Sequence, residues 1–355
     1  MKPVYIPGRG LTCALGLNLE RSLVALRQGG VATSFCSLPS GEMGGRFPYY
    51  PIPYVQNDWN ERACDLVRRV AVEAGAQQAR EGVLFIATSS FDIGAIEQGT
   101  TQMDYYSTFS DKVAAWLEWS GPVYVINTAC TSSLIALISA HAFLSAGKME
   151  EALVLGVELD NRLTLGGFAA LQLLSRVSSK PFGVHRDGLV LGEAVVALRL
   201  STRESSHWKM SGGASVVDGS QPISASSSAI VTMYQRALAA SGLAADMINL
   251  IKVQAAGSPG NDAIEAQGLR EAFEIIPSLV SLKAAIGHTM GASGAAEIVL
   301  LMACLEQGVW PNYADVLDET LGVDLATRQP DSVRHVMATI LGFGGSHATV
   351  VLEHA

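Results

Sequence analysis

Residues 123–144 read VYVINTACTSSLIALISAHAFL. The apolar, β-branched run at 123–127 predicts a buried strand, and the apolar run at 134–144 predicts a helix. Cys130 lies in the short turn between them. Unpaired backbone N–H groups and the dipole at a helix N-terminus favour a thiolate, so Cys130 is a candidate nucleophile. The alternative interpretation is a buried structural cysteine, which is the commoner role of a single cysteine.

On both sides of this segment the chain alternates between predicted strands and predicted helices. The predicted strands are 4–6, 82–88, 123–127, 152–156, 250–254, 279–281, 336–341 and 348–352. The predicted helices are 17–28, 62–78, 134–144, 226–240, 264–272 and 292–306. Because the order of elements after residue 200 is similar to the order before it, the sequence predicts two pseudo-duplicated α/β halves, residues 1–200 and 201–355.

Glycine and proline predict where the chain turns. Gly8-Arg9-Gly10 predicts a tight turn after the first strand, and Gly147 is suited to a left-handed cap after the helix 134–144. Residues 33–60 are rich in Gly, Pro and Tyr, and they predict an irregular loop.

The composition indicates a large core and excludes several classes of protein. The chain is 49% hydrophobic and 16% charged, with a formal net charge of −9, which argues against nucleic acid as the main partner. The five cysteines have no zinc spacing and fit free thiols in a reducing compartment. The N-terminus resembles no signal peptide, and no apolar run reaches membrane-spanning length. We therefore expect a cytoplasmic protein without a metal site.

Two further segments carry candidate catalytic groups. Residues 281–294 read SLKAAIGHTMGASG, so that Lys283 closes the predicted strand and His288 stands in a glycine-flanked turn. Such a histidine can donate a hydrogen bond or accept a proton, and a helix-capping or core histidine is the alternative. Residues 342–347 read GFGGSH, a turn that could offer the backbone N–H of Phe343 to an oxyanion. A plain β-turn is the alternative for this segment.

Taken in order, these motifs resemble the β-ketoacyl synthase family of fatty acid and polyketide synthesis. The resemblance is carried by the nucleophile segment 127–133, by Pro181-Phe182 with the RDG and GE motifs at 186–188 and 192–193, by 283–294 and by 342–346. It implies a thiolase-like fold with a five-layer αβαβα architecture. The likeness covers nearly the whole chain.

The resemblance also implies a role for each candidate residue. Cys130 would take an acyl group from the phosphopantetheine thioester of an acyl carrier protein, and the N–H groups of Cys130 and Phe343 would hold the oxyanion. His288 would donate to the thioester carbonyl of a malonyl unit as it loses carbon dioxide. Lys283 would order the site through a carboxylate, for which Glu265 is the expected partner. No tightly bound cofactor is implied.

The sequence departs from the family at its other catalytic histidine. The segment 253–265 reads VQAAGSPGNDAIE, in which Asp262 matches the family and Ala256 occupies the histidine position. Removing one preorganised donor typically costs about 10²–10³ in rate, so decarboxylative condensation is in doubt. His347 and His185 are the candidates that could substitute for the missing imidazole.

Three functions remain open on these grounds. The preferred one is a chain-length-factor-like partner that pairs with a complete ketosynthase, in a pathway for which a polyene is one candidate product. The second is a Cys130-dependent acyltransferase or a slow β-ketoacyl synthase acting alone, as a homodimer. The third is a binding or structural protein with a vestigial site, which the intact glycine turns around His288 and Phe343 argue against.

Overall fold

The computed structural model describes residues 2–38, 45–100, 107–219, 224–313 and 315–355. The strands are β1 Val4–Cys13, β2 Ser34–Leu38, β3 Gly45–Tyr50, β4 Val83–Ala87, β5 Val123–Ile126, β6 Glu151–Glu158, β7 Leu191–Gly192, β8 Ala194–Ser201, β9 Trp208–Val217, β10 Leu250–Lys252, β11 Ser278–Val280, β12 His335–Leu341 and β13 Ser346–His354. The helices are α1 Leu19–Arg27, α2 Trp59–Glu73, α3 Ile93–Glu97, α4 Ser107–Leu117, α5 Ser132–Ser145, α6 Arg162–Ala170, α7 Ser227–Ser241, α8 Pro259–Ala272, α9 Lys283–Ile286 and α10 Ser293–Gln307.

Ten of the strands form one mixed sheet. Their order is β11-β10-β12-β13-β9-β1-β8-β6-β4-β5, and β1 pairs with β9 at the centre. The five strands on each side of that pairing follow the same order. Moving outward, they are the first, fifth, fourth, second and third strands of that side as counted along the chain. Each side also has two antiparallel pairings followed by two parallel ones. This repeat is the pseudo-duplication expected from the sequence, whereas the division at residue 200 stays a prediction.

The helices cover the strands in layers, because each strand face is apolar. Helices α2 and α4 pack on the outer face of the β4, β6 and β8 strands. Helices α7 and α8 pack on the outer face of the β10, β12 and β13 strands. Helices α5 and α10 lie between the two halves, in a core that contains strand residues from both. The strands of each half therefore form one β-layer on either side of α5 and α10, and the predicted five-layer αβαβα architecture is confirmed.

The prediction of a tight turn at Gly8-Arg9-Gly10 is wrong, because strand β1 continues through these residues to Cys13. A Cβ atom at Gly8 or Gly10 would collide with a backbone carbonyl of helix α2 or its end. These two glycines therefore allow a strand and a helix to approach closely, which a local pattern does not distinguish from a turn.

The prediction of an irregular loop over 33–60 is also partly wrong. Strands β2 and β3 pair antiparallel there, and β3 runs parallel to β7, so the segment contributes a second, three-stranded sheet. Helix α2 then begins at Trp59, where Asp58 caps it by accepting a hydrogen bond from the Glu61 N–H. Among the described residues, no helix is long and apolar enough to cross a membrane.

Candidate active site

The nucleophile turn joins β5 to α5, as the sequence predicts. Cys130 is 3% exposed and stands just before the helix, whose N-cap residue is Thr131. The preceding residue, Ala129, has a φ of 52°, a conformation that costs a non-glycine residue energy and is common at functional turns. The Thr131 hydroxyl lies 2.8 Å from the Ser346 hydroxyl, which ties this turn to the glycine turn of residues 342–346.

Cys130 rests as a thiol rather than as the thiolate expected from its position at a helix N-terminus. Burial raises the pKa of this thiol to about 12, and Glu158 adds to the rise. The Lys283 ammonium and the backbone N–H groups of Phe343 and Cys130 act in the opposite direction on the pKa but do not offset the burial. Both N–H groups therefore lie close to the sulfur.

His288 lies against this thiol. Its Nε2 atom is 2.9 Å from the Cys130 sulfur, and the residue is 2% exposed. The turn that carries it is fixed by the His288 N–H, which donates to the Val190 carbonyl at 2.7 Å, and by Gly287 with a φ of 70°. Burial lowers the pKa of His288 to about 3, with Lys283 as a further cause, so the imidazole is neutral.

The carboxylate that Lys283 contacts is Glu297, not Glu265 as expected. Lys283 and Glu297 form an ion pair in which both side chains are fully buried, and Lys283 begins helix α9 rather than closing a strand. Lys252, at the end of β10, lies 3.1 Å from the other oxygen of Glu297 and donates to the Thr339 carbonyl at 2.7 Å. The two ammonium groups lower the pKa of Glu297, so it stays ionised despite its burial.

Glu265 and Asp262 hold the backbone of the loop that leads into helix α8. The Asp262 carboxylate accepts hydrogen bonds from the N–H groups of Phe182, Ala256, Gly257 and Ser258. Glu265 accepts one from the Gln254 N–H at 2.7 Å, and burial raises its pKa. Both carboxylates therefore shape the loop around Ala256 rather than the Cys130 environment.

Ala256 itself lies in an apolar cluster that includes Phe168 and, partly buried, Met290 and Phe343. It is 4% exposed. The Phe343 ring stacks on Phe168 with 5.4 Å between the ring centroids. Within the described residues, His288 is the one histidine whose ring contacts the Cys130 sulfur.

Neither candidate substitute for the missing imidazole reaches Cys130. His185 has a side chain that is 71% exposed and pairs with Asp315 at 3.1 Å. His347 is buried within β13, between Leu341 and Val216 on the neighbouring strands, and its two ring nitrogens have no hydrogen-bond partner among the described residues. Burial lowers its pKa.

Two cavities share part of their walls, and neither is lined by Cys130 or His288. A small one of about 20 Å³ is lined by Glu158, Leu165, Met290 and Tyr49 among others. A larger one of about 260 Å³ also has Tyr49 and Leu165 in its wall. Asn161 is the third residue that lines both cavities. No group of three His, Cys, Asp or Glu side chains arranged to hold a metal occurs among the described residues.

Sequence reasoning missed three polar side chains of the site, Lys252, Ser293 and Glu297. The Ser293 hydroxyl lies 3.2 Å from His288 Nδ1 and 2.6 Å from Glu297. A signal for Glu297 was present, because it is the single charge in the otherwise apolar run 292–305. A lone charge inside such a helix indicates a buried ion pair.

Comparisons with known proteins show a consistent likeness. The family model described as "Beta-ketoacyl synthase, N-terminal domain" matches residues 66–207, and "Beta-ketoacyl synthase, C-terminal domain" matches residues 209–316. Methylphloroacetophenone synthase of Cladonia uncialis is 32% identical over 243 residues, which are 64% of this chain and 10% of that protein. The chloroplastic 3-oxoacyl-[acyl-carrier-protein] synthase II of Arabidopsis thaliana is 29% identical over 268 residues, 68% of this chain and 49% of that protein.

The chain spans about half or less of the length of these two curated relatives. A solved structure of a ketosynthase in complex with its chain length factor, from Xenorhabdus doucetiae, superimposes with a TM-score of 0.85. That likeness covers 100% of this chain and 98% of the other at 24% identity, so it shows the fold alone. The two family models together account for most of the sequence, and this chain therefore belongs to the β-ketoacyl synthase family.

Proposed function

We propose that this chain is a ketosynthase-like subunit of a fatty acid or polyketide pathway that pairs with a complete ketosynthase, as a chain-length-factor-like partner. The observation that carries the proposal is the single imidazole at Cys130. Decarboxylation generates an enolate oxygen, and here His288 alone would hold it, because Ala256 offers a methyl group in an apolar cluster. Condensation would then be done by the partner, and this chain would bound the shared tunnel and set product length.

The free edge of the large sheet supports a partner. Strand β5 pairs only with β4 within the described residues. The N–H groups of Leu84 and Thr88 in and after β4 donate to the carbonyls of Pro122 and Ile126, so the backbone groups of Val123 and Val125 face the open side. An apolar edge that directly precedes the nucleophile turn is suited to continue into the sheet of a second subunit.

The test is co-expression with ketosynthases that carry the full Cys-His-His set, followed by native mass spectrometry and analysis of product length. We expect a one-to-one heterodimer and a product length that changes when this chain is omitted. A chain that stays a monomer or homodimer beside such ketosynthases, and condenses malonyl units alone, would overturn the proposal.

The edge strand provides a matched pair of variants for this test. Val125→Pro removes an N–H that faces the open side while leaving the pairing with β4 intact, so the heterodimer is expected to weaken. Val125→Ala trims the same side chain but keeps the backbone donor, so it serves as the control. Equal association of both variants would exclude β5 as the interface.

A second candidate, a Cys130-dependent acyltransferase or a slow β-ketoacyl synthase, is favoured by the contact between Cys130 and His288. The thiol, its imidazole and two backbone N–H groups suffice for transfer of an acyl group from the phosphopantetheine arm of a carrier protein. Incubation with acyl-loaded carrier protein is expected to add the acyl mass. Cys130→Ala should abolish the adduct, whereas Cys304→Ala, which removes another buried thiol, should not. An adduct that survives Cys130→Ala would exclude this candidate.

A further inference from the structure

The Ser293 hydroxyl lies at the centre of three side chains. It is 3.0 Å from the Lys283 ammonium, 2.6 Å from Glu297 Oε1 and 3.2 Å from His288 Nδ1. All four residues are buried, so bulk solvent does not compete for these contacts. A hydroxyl can donate one hydrogen bond and accept two, and three partners therefore use its whole capacity.

The chemistry of the partners fixes the direction of each hydrogen bond. An ammonium can only donate, so Lys283 takes one lone pair of Ser293. An ionised carboxylate can only accept, and Lys252 and Lys283 keep Glu297 ionised, so the Ser293 proton goes to Glu297. One lone pair of the hydroxyl remains for the imidazole. His288 Nδ1 must therefore carry a hydrogen and donate it to Ser293.

The same count of donors and acceptors determines whether the other ring nitrogen, Nε2, carries a hydrogen. A neutral imidazole has one N–H, so with the hydrogen on Nδ1 the Nε2 atom of His288 presents a lone pair. The Cys130 sulfur lies 2.9 Å from that atom. The thiol must then be the donor and Nε2 the acceptor.

We propose that Ser293 is a positioning residue that holds His288 in the Nδ1–H tautomer, so that Nε2 is the base that takes the Cys130 thiol proton. The proposal rests on the Cys130-dependent acyl transfer described above. It assigns to His288 a proton-accepting role in acyl transfer. The donation that the family resemblance implies belongs to another step, the decarboxylation of a malonyl unit, for which Nε2 must first carry a hydrogen. Lys252 contributes indirectly, because its ion pair with Oε2 helps to keep Glu297 ionised, while Oε1 contacts both Ser293 and Lys283.

The step balances without any further reactant. The proton moves from Cys130 Sγ to His288 Nε2 as the sulfur bonds to the thioester carbonyl carbon. The bond from that carbon to the phosphopantetheine sulfur then breaks, and the leaving thiolate takes the proton from Nε2. The products are acyl-Cys130 and a free phosphopantetheine thiol, and Nδ1 keeps its hydrogen throughout.

The tautomer can be read directly by NMR of the full-length protein labelled with ¹⁵N-histidine. Long-range proton–nitrogen spectra distinguish the two neutral forms, and His288→Gln identifies the signals to be followed. We expect Nδ1–H in the unaltered protein. Ser293→Ala should move the population toward Nε2–H and slow acylation of Cys130 by about 10², the lower end of what a general base contributes.

Two further variants separate tautomer control from general damage. Ser293→Thr keeps a hydroxyl at the same place and should restore both the spectrum and the rate. Ser133→Ala removes another buried hydroxyl, which accepts a hydrogen bond from the Ala295 N–H at 3.1 Å, and should leave the tautomer unchanged. An Nε2–H form in the unaltered protein would overturn the proposal, as would a Ser293→Ala variant with unchanged tautomer and rate.

The result also distinguishes this inference from the acyl-transfer function beneath it. If no variant forms an adduct but Ser293→Ala changes the tautomer, the acyl-transfer function is refuted and the role of Ser293 is supported. If adducts form at equal rates and the tautomer does not respond, the function is supported and the role of Ser293 is refuted.

Discussion

The two central helices, α5 and α10, occupy corresponding places in the two halves and carry different chemistry. Each follows the third strand of its half and is buried against the other. Helix α5 brings Cys130 to its N-terminal end and has no buried charge. Helix α10 buries Glu297 and meets the two lysines. The duplicated framework thus supplies the nucleophile from one half and the buried Lys283–Glu297–Lys252 cluster from the other.

That difference explains why burial decides the state of Cys130. The pKa of the Cys130 thiol is raised to about 12 mainly because the sulfur is out of water, and Glu158 of the same half adds to the rise. The ammonium of Lys283 acts from the other half and only partly offsets this. Activation of the nucleophile therefore depends on contacts across the two halves, which the following variants are designed to break or sharpen.

The largest expected effect is on stability when the charge on α10 is removed. Glu297→Gln leaves Lys252 and Lys283 buried without a compensating charge, so the free energy of unfolding should fall by about 3–5 kcal/mol. Urea unfolding measures it. The control is Glu306→Gln on the same helix, which loses a partly exposed ion pair with Arg9 and should cost about 1 kcal/mol or less. Similar losses for both would mean that the buried cluster is not the special feature of α10.

The next effect is the pH dependence that His288 contributes. Its pKa is lowered to about 3, so the folded state binds fewer protons than the unfolded state, whose histidine titrates near 6.5. The stability that the neutral imidazole contributes is fully present above pH 6.5 and is lost as the pH falls toward 3. Asp262, with a pKa raised to about 6, has the opposite sign, so wild type and variant must be compared at each pH.

Between pH 7 and pH 5, the free energy of unfolding should therefore fall by about 2 kcal/mol less in His288→Gln than in the wild type. Urea midpoints at the two pH values provide the measurement. The exposed His185→Gln variant should follow the wild type. If His288→Gln also follows the wild type, the imidazole is not held neutral by burial.

The third variant introduces the absent imidazole. Ala256→His enlarges a side chain in a packed apolar cluster and should cost about 1–3 kcal/mol of unfolding free energy. If the new ring reaches the site, decarboxylation of a malonyl thioester should rise on the order of 10². Ala256→Leu has a comparable volume without a donor and should be destabilised without gaining decarboxylation. A gain in Ala256→Leu as well would show that packing, and not a second donor, limits the reaction.

The smallest effects compare the ends of the two central helices. Gly147 after α5 and Gly308 after α10 have φ values of 71° and 63°, and a Cβ at either would meet no close neighbour. Alanine at each should cost about 1 kcal/mol, through backbone conformation alone. Gly166→Ala, inside helix α6 and also in open space, should instead stabilise by about 0.5 kcal/mol. Thermal unfolding measures the stability lost in each variant. Unequal losses would show that the two helix ends are not equivalent.

The parts of the fold that sequence predicted are those with a local signal. Strand β5 and helix α5 show clear apolar runs, and Gly147 takes the left-handed conformation predicted for it. The β2–β3 pairing was missed because its Gly, Pro and Tyr composition matches loops as well as edge strands. Gly8 and Gly10 were misread because their role depends on a helix some sixty residues away in the chain.

The candidate site shows the same limit. Cys130 and His288 stand in recognisable motifs, and the structure brings them into contact. The partner of Lys283 was not predicted correctly, because Glu265 and Glu297 are both buried carboxylates and only packing distinguishes them. Ser293 gives no signal of its own, since a serine at the start of a helix is ordinary and its importance comes from the three groups around it.

Strand β5 has a practical consequence for anyone who handles this protein. Its four residues, VYVI, contain neither lysine nor proline, the residues that natural edges use to prevent unwanted pairing. Tyr124 on it is 44% exposed. In a concentrated solution without a partner, such an edge is a template for the same edge of another molecule, so colloidal stability should fall with concentration. Storage, labelling and crystallisation would then be governed by four residues that take no part in the chemistry.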